Sequence, residues 1–268
     1  FSTDDVGEKT VTVTYGDQTA TFVINVVSGD IFSYRLLDDN TYAISLGEGQ
    51  TAPSTLQIPA NLGSRPVTVI DENAFMNNTD ITIVILPVSI KAILSKAFYG
   101  CVNLAEINLD SAQDLTYIGN EAFAGCASLA AFNAGEALET IGEAAFYGCE
   151  SLAELSISGV TSIGKSAFKD CIALSQNIEL SGEIGKLDEY VFYNTGITKI
   201  SIPSSELPQI ENTAVKNKDG KKVIIVGMSE NVLKIGVETI VPPVKLFENG
   251  TDLSDDIAIY LETGGVYR

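Results

Sequence analysis

Four cysteines, thirty-five acidic side chains and a set of recurring glycines are the groups in this 268-residue chain that could do chemistry. Cys101, Cys126, Cys149 and Cys171 lie 25, 23 and 22 residues apart. A zinc site is built on a close C-x-x-C pair, and these spacings contain none. The acidic doublets Asp4-Asp5, Asp38-Asp39 and Asp255-Asp256 offer the oxygens that calcium prefers. They lack the D-x-D-x-D-G spacing of a calcium loop and read as solvated turns. Two carboxylates can also cleave a glycosidic bond, but nothing among thirty-five acids marks one pair out. Gly100, Gly125 and Gly148 each stand alone before a cysteine, so they form no phosphate-cradling loop. No metal or cofactor is expected.

The chain has no histidine. It therefore lacks the commonest general base, the commonest metal ligand and any Ser-His or Cys-His nucleophile. With 16 Lys and Arg against 35 Asp and Glu, the net charge is -19. Such a surface repels phosphate backbones, which excludes nucleic acid as a natural partner. Enzymatic activity is not expected. No run of about eighteen apolar residues occurs, so no membrane insertion is expected. At 45% hydrophobic, the chain can bury a substantial core.

The elements that position these groups are repeats. An Ala-Phe pair recurs at Phe75, Phe98, Phe123, Phe146 and Phe168, and relaxes at Phe192, Val215 and Ile240; these positions are 23, 25, 23, 22, 24, 23 and 25 residues apart. Five residues before each stands an aliphatic side chain: Ile70, Ile93, Ile118, Ile141, Ile163, Leu187, Ile210 and Ile235. Six, nine and eleven residues after Phe98 come Leu104, Ile107 and Leu109, an alternation that predicts a short strand with these three inward. Ile81, Val84 and Leu86 precede them; Leu129, Phe132 and Ala134, then Leu152, Leu155 and Ile157, follow. The fifth repeat shifts by one to Ile178 and Leu180, the sixth carries Ile197, Ile200 and Ile202, and the seventh keeps Ile224 and Val226 as its inward residues. A period near 23 residues is that of a leucine-rich-repeat solenoid, β-rich, with about eight rungs of 22–25 residues. Stacked at about 4.8 Å per rung, eight rungs make a body roughly 40 Å long.

Rung stacking also bears on the cysteines, each three residues after its Phe. Neighbouring Cα atoms come within disulfide range, but side chains in register point in parallel, which keeps the Cβ atoms apart. Asn78 and Thr195 occupy the same column. The position wants a small residue that can hydrogen-bond the turn backbone, and four reduced, buried thiols are expected.

The run Ile141-Gly142-Glu143-Ala144-Ala145-Phe146-Tyr147-Gly148-Cys149-Glu150-Ser151-Leu152 resembles the BspA-type leucine-rich repeats of bacterial surface proteins. The resemblance spans roughly residues 30–240 and weakens after Pro203. It implies an extracellular or cell-surface, non-enzymatic binding protein, adhesin-like, whose partner is a host or neighbouring-cell surface protein, a matrix component or a glycan. The competing reading is a structural spacer within a larger multi-domain surface protein.

Residues 1–28 read as two alternating strands around Gly16-Asp17. The stretch Gly7 to Tyr15 resembles the last strands of a bacterial immunoglobulin-like domain; a local hairpin packed on the solenoid is the equal alternative. Phe1 in place of Met points to a mature or trimmed chain. Residues 29–69, with a second hairpin signal at Phe32–Leu46, are expected to cap the first rung. Regular repeats then fill 70–202, and 203–268 hold degenerate repeats and a C-terminal cap, where Pro242-Pro243 stops regular continuation.

The strand alternation leaves a ladder of outward residues as the candidate partner-contact face: Ile83 and Ile85, Glu106 and Asn108, Ala131 and Asn133, Glu154 and Ser156, Glu179, then Lys199 and Ser201. Ile83 and Ile85 are its apolar outliers. Either the 31–46 hairpin covers them, or they begin a contact patch that continues through Ala131.

Overall fold

The computed structural model describes residues 31–229 apart from 110–111, 205–207, 212 and 222, together with the strand backbones 7–15, 18–26, 247–248, 251–252 and 257–263. The eighth repeat, Pro242-Pro243 and the outer two acidic doublets lie outside the described residues. Two strands open the chain, β1 (Gly7–Tyr15) and β2 (Gln18–Val26), paired antiparallel from Gly7 opposite Val26 to Tyr15 opposite Gln18. A second antiparallel pair follows, β3 (Phe32–Leu36) and β4 (Tyr42–Leu46). Between them Asp39 accepts from the Thr41 amide and hydroxyl, which holds its carboxyl below the usual range; this doublet closes a turn.

From β4 onward the rungs pair through parallel ladders, with only the short pairs Asn61–Leu62 on Arg65–Ile70 and Phe247–Glu248 on Thr251–Asp252 antiparallel among the described residues, because each rung buries one strip of apolar residues against the next. β5 (Thr55–Gln57), β6 (Asn61–Leu62) and β7 (Arg65–Ile70) lead into the regular rungs. One face carries β8 (Ile83–Ile85), β10 (Glu106–Asn108), β12 (Ala131–Asn133), β14 (Glu154–Ser156), β16 (Ile178–Glu179), β19 (Lys199–Ile202) and β22 (Val223–Ser229). A second face carries β9 (Ala92–Ile93), β11 (Tyr117–Ile118), β13 (Thr140–Ile141), β15 (Ser162–Ile163), β17 (Lys186–Leu187) and β20 (Gln209–Ile210). β18 (Phe192–Thr195) and β21 (Val215–Asn217) pair at the turn edge. β23 (Phe247–Glu248), β24 (Thr251–Asp252) and β25 (Ile257–Thr263) complete the described strands, and β25 adds to β22 in parallel. No α-helix occurs among the described residues, and none is long and apolar enough to cross a membrane.

The fold is a leucine-rich-repeat β-solenoid of about eight turns. Seven are built on Phe75 through Val215, and one precedes them: Ile44 lies opposite Ile70 and Leu56 opposite Val84. The capping hairpin is thus laced into the first turn rather than laid over it. Phe32 meets Phe75 edge-on at 6.4 Å, and the Arg35 guanidinium forks onto Asp71 at 2.7 and 2.6 Å, which holds the Asp71 carboxyl below its usual range.

The Phe column is the spine of the core. Phe75, Phe98, Phe123, Phe146, Phe168 and Phe192 are fully buried and stack ring on ring at 5.1–5.3 Å. Phe132 enters from the strand side, 4.6 Å from the Phe146 ring. Each ring is presented by a turn with two left-handed residues, two before and two after it. The later position holds Asn77, Gly100, Gly125, Gly148, Asp170 and Asn194, with φ from 58° to 75°. The earlier one holds Asn73, Lys96, Glu121, Ala144, Ser166 and Tyr190, with φ from 52° to 61°. Left-handed backbone costs a side-chain-bearing residue about 1–2 kcal/mol, so the interlocked rungs impose it.

One register expectation is overturned. Ile224 does not point inward: it lies opposite Lys199 and is 37% exposed, while Val223 and Ile225 are buried. The seventh rung carries one residue more between its turn and its strand, so Ile225 takes the inward place opposite Ile200 and Ile224 turns out, while Val226, opposite Ser201, is buried as expected.

Candidate functional site

The ladder pairing sets the predicted face in order. Ile83 lies between Thr55 and Glu106, and Ile85 between Gln57 and Asn108. Ala131 pairs with Glu154 and Asn133 with Ser156. Glu179 pairs with Ser201, whose other neighbour is Val226, and Lys199 pairs with Ile224. The predicted residues therefore fall into three laddered groups along one side of the solenoid. Glu106, Asn133, Glu154 and Glu179 are exposed; Ile83, Ile85, Asn108, Ala131, Lys199 and Ser201 are half-buried.

The two isoleucines are not covered by the 31–46 hairpin, which joins the other sheet through β4 and β7. Their N-terminal neighbour is β5, whose outward residues Thr55 and Gln57 are themselves exposed. Three residues of this face escape a reading of the Phe repeats alone. Thr55 and Gln57 precede the first Phe, and Ile224 follows the extra residue of rung seven.

No group of three or more His, Cys, Asp or Glu residues that could hold a metal occurs among the described residues. The cysteines form a column of free, buried thiols. Each Sγ donates to the carbonyl of the Phe one rung back: Cys101 to Phe75 at 3.1 Å, Cys126 to Phe98 at 3.1 Å, Cys149 to Phe123 at 3.2 Å and Cys171 to Phe146 at 3.1 Å. Burial pushes all four thiols up, that of Cys101 to about 12. A thiol so held is neither nucleophile nor ligand. Elsewhere in the column, Asn78 accepts from the amides of Asp80 and Ile81, and Thr195 donates to the Phe192 carbonyl. In rung seven Asn217 takes the place one residue early, reaching the Ile197 carbonyl at 2.8 Å.

The turn edge carries a second ordered surface. Directly after each Phe-column residue come Met76, Tyr99, Ala124, Tyr147, Lys169, Tyr193 and Lys216. The last four alternate aromatic and cationic. The Lys169 ammonium stands 5.7 Å from the Tyr147 ring, 5.3 Å from Tyr190 and 5.8 Å from Tyr193. Lys216 stands 5.8 Å from Tyr193, and Lys165 stands 5.9 Å from Tyr190. Writing out the column after the Phe would have found this alternation in the sequence.

The BspA type leucine rich repeat model matches residues 54–175 and 151–240, in six copies. Among solved structures, the chain is similar to a leucine-rich repeat protein of T. pallidum at 26% identity, covering 75% of this chain and 86% of that one with a TM-score of 0.59. A leucine-rich repeat protein of Bacteroides ovatus aligns at 20% identity over 75% of this chain and 70% of its own, TM-score 0.41. A leucine rich cell surface protein of Faecalibacterium prausnitzii aligns at 17% identity over 75% and 88%, TM-score 0.41. No curated protein matches the chain. With rungs, spine and family match spanning more than half of its length, the chain belongs to the BspA type leucine rich repeat family.

Proposed function

We propose that this chain is the non-enzymatic binding module of a bacterial surface or secreted protein, and that the outward ladder from Ile83 to Ser201 engages a macromolecular partner. BspA-type leucine-rich-repeat proteins are typically surface proteins, which supports an extracellular setting. The observation that carries the reading is the face itself. Parallel strands hold its side chains in fixed rows across the rungs while the buried partners of those strands maintain the fold, so surface residues can vary without cost to the core. Half-buried isoleucines beside exposed polar residues combine apolar area with hydrogen-bonding groups, as contact surfaces do. The partner proposed is a surface protein of a host or neighbouring cell, or a matrix component.

A binding screen of immobilised matrix proteins and glycans, run with the parent chain and with Ile83→Asp and Asn133→Arg, tests this. Binding lost in either variant at an unchanged melting temperature supports the strand face. Binding retained by both removes the strand face from the function. A parent chain that binds nothing in the panel favours the spacer reading, in which the stack only sets distance.

A further inference from the structure

We propose that the turn edge of the four rungs from Phe146 to Val215 is a second docking surface, independent of the strand face, and that it takes an extended acidic polypeptide segment. The cations argue first. In a chain with 16 basic residues and a net charge of -19, Lys165, Lys169 and Lys216 gather around three tyrosines. Lys165 is paired with Glu189 at 2.5 Å, and the neighbouring Asp170 carboxylate accepts from Asn194 at 2.7 Å. No carboxylate pairs with Lys169 or Lys216 among the described residues. Both ammoniums therefore keep donors for an incoming anion.

The tyrosines argue next. Tyr147 is 43% exposed, and Tyr190 meets Tyr193 edge-on at 5.3 Å. All three rings stand on turns whose Phe side chains stack at 5.2 and 5.3 Å, and the Lys169 ammonium lies 5.3–5.8 Å from each. Rigid, wide, amphipathic side chains of this kind bury large area at small entropic cost. The ammoniums also decide between partners. The Lys169 ammonium lies toward the rings of all three tyrosines and crowds one face of each against a stacking sugar, whereas carboxylates meet the lysines directly. Spacing fits an extended polyproline II segment, in which residues three apart face the same side: Lys169 and Lys216 are two rungs apart, roughly 10 Å at about 4.8 Å per rung, the span of about three such residues at about 3.1 Å each. Acids at every third position would meet both.

The test uses fluorescence anisotropy at low ionic strength, where exposed charges are least screened. The probe is a short labelled peptide with Glu at every third position, beside the same peptide with Gln at those positions. The expected result is binding of the Glu peptide at least about tenfold tighter than the Gln peptide, abolished in the Lys169→Gln/Lys216→Gln double variant and in Tyr193→Ala. Ile83→Asp must leave it intact, so failure of the strand-face reading and failure of this one are separable. Undiminished binding by the double variant, equal affinity for the two peptides, or no binding by the parent chain overturns the proposal. So does capture of a polyuronate in place of the Glu peptide. Self-association of the parent chain that the double variant abolishes would assign the edge to a second copy, and also overturns it.

Discussion

The thiol of Cys149 donates to the carbonyl of Phe123, 3.2 Å away in the preceding rung. The same oxygen accepts the Cys126 amide of its own rung at 3.1 Å, so both of its lone pairs are used. One side chain thereby joins two rungs at the level of the stacked rings. Thiol titration of the native protein should find no fast-reacting group, and denaturation without reductant should release four. Only two in the denatured, unreduced chain would require a disulfide.

The thiol column also fixes how stability responds to alkali. Burial raises the folded-state value of each thiol above the roughly 8.5 of an unfolded one, with Cys101 at about 12. Stability from these groups is therefore complete below about pH 8.5 and is lost as pH rises toward 12. Each thiol that stays protonated only in the folded state adds a slope of about 1.4 kcal/mol per pH unit. Melting curves across that window should fall steeply, and less steeply for Cys149→Ala. An unchanged slope in the variant would assign the alkaline loss to other groups.

Phe146 is stacked on Phe123 at 5.1 Å and on Phe168 at 5.2 Å, with the Phe132 edge at 4.6 Å. Truncation to Ala removes three ring contacts and opens a cavity that interlocked rungs cannot close, at a cost of about 3–5 kcal/mol. Denaturant unfolding measures it. A loss below about 1 kcal/mol would mean that the rings are not the spine.

Two substitutions two residues apart should act in opposite directions. A Cβ on Gly142 would meet backbone atoms of Asn120 and Gly119 at 2.6 Å, so Gly142→Ala should cost about 1–3 kcal/mol. Ala144 sits at φ 52°, and Ala144→Gly should gain about 0.5 kcal/mol, left-handed strain relieved outweighing the added chain entropy. Thermal unfolding of the pair checks both signs; a stabilising Gly142→Ala would contradict the close approach of the rungs.

The rungs were legible because Phe98, Ile107 and Cys101 each repeat a buried environment, and burial restricts residue type. The left-handed position two before each Phe was not legible, since Asn73, Lys96, Glu121, Ala144, Ser166 and Tyr190 share no chemistry. Its conformation is imposed by neighbouring rungs and leaves no mark on composition. Ile224 was misplaced for a related reason. Val223, Ile224, Ile225 and Val226 are all apolar, so alternation cannot say which of them face inward, and only pairing with Lys199 and Ile200 does. The outward ladder from Ile83 to Ser201 was readable as geometry, because it follows from the inward one, but its ligand leaves no comparable periodic trace.

At the turn edge each ring-bearing residue donates its amide forward: Phe98 to Ala122, Phe123 to Ala145, Phe146 to Ala167 and Phe168 to Val191, at 2.7–2.9 Å. The thiols donate backward across the first three of these boundaries. No rung can open without breaking bonds on both of its sides. Hydrogen exchange should therefore find these four amides behaving as one slow class that opens in a single event, while the terminal turns exchange ahead of them.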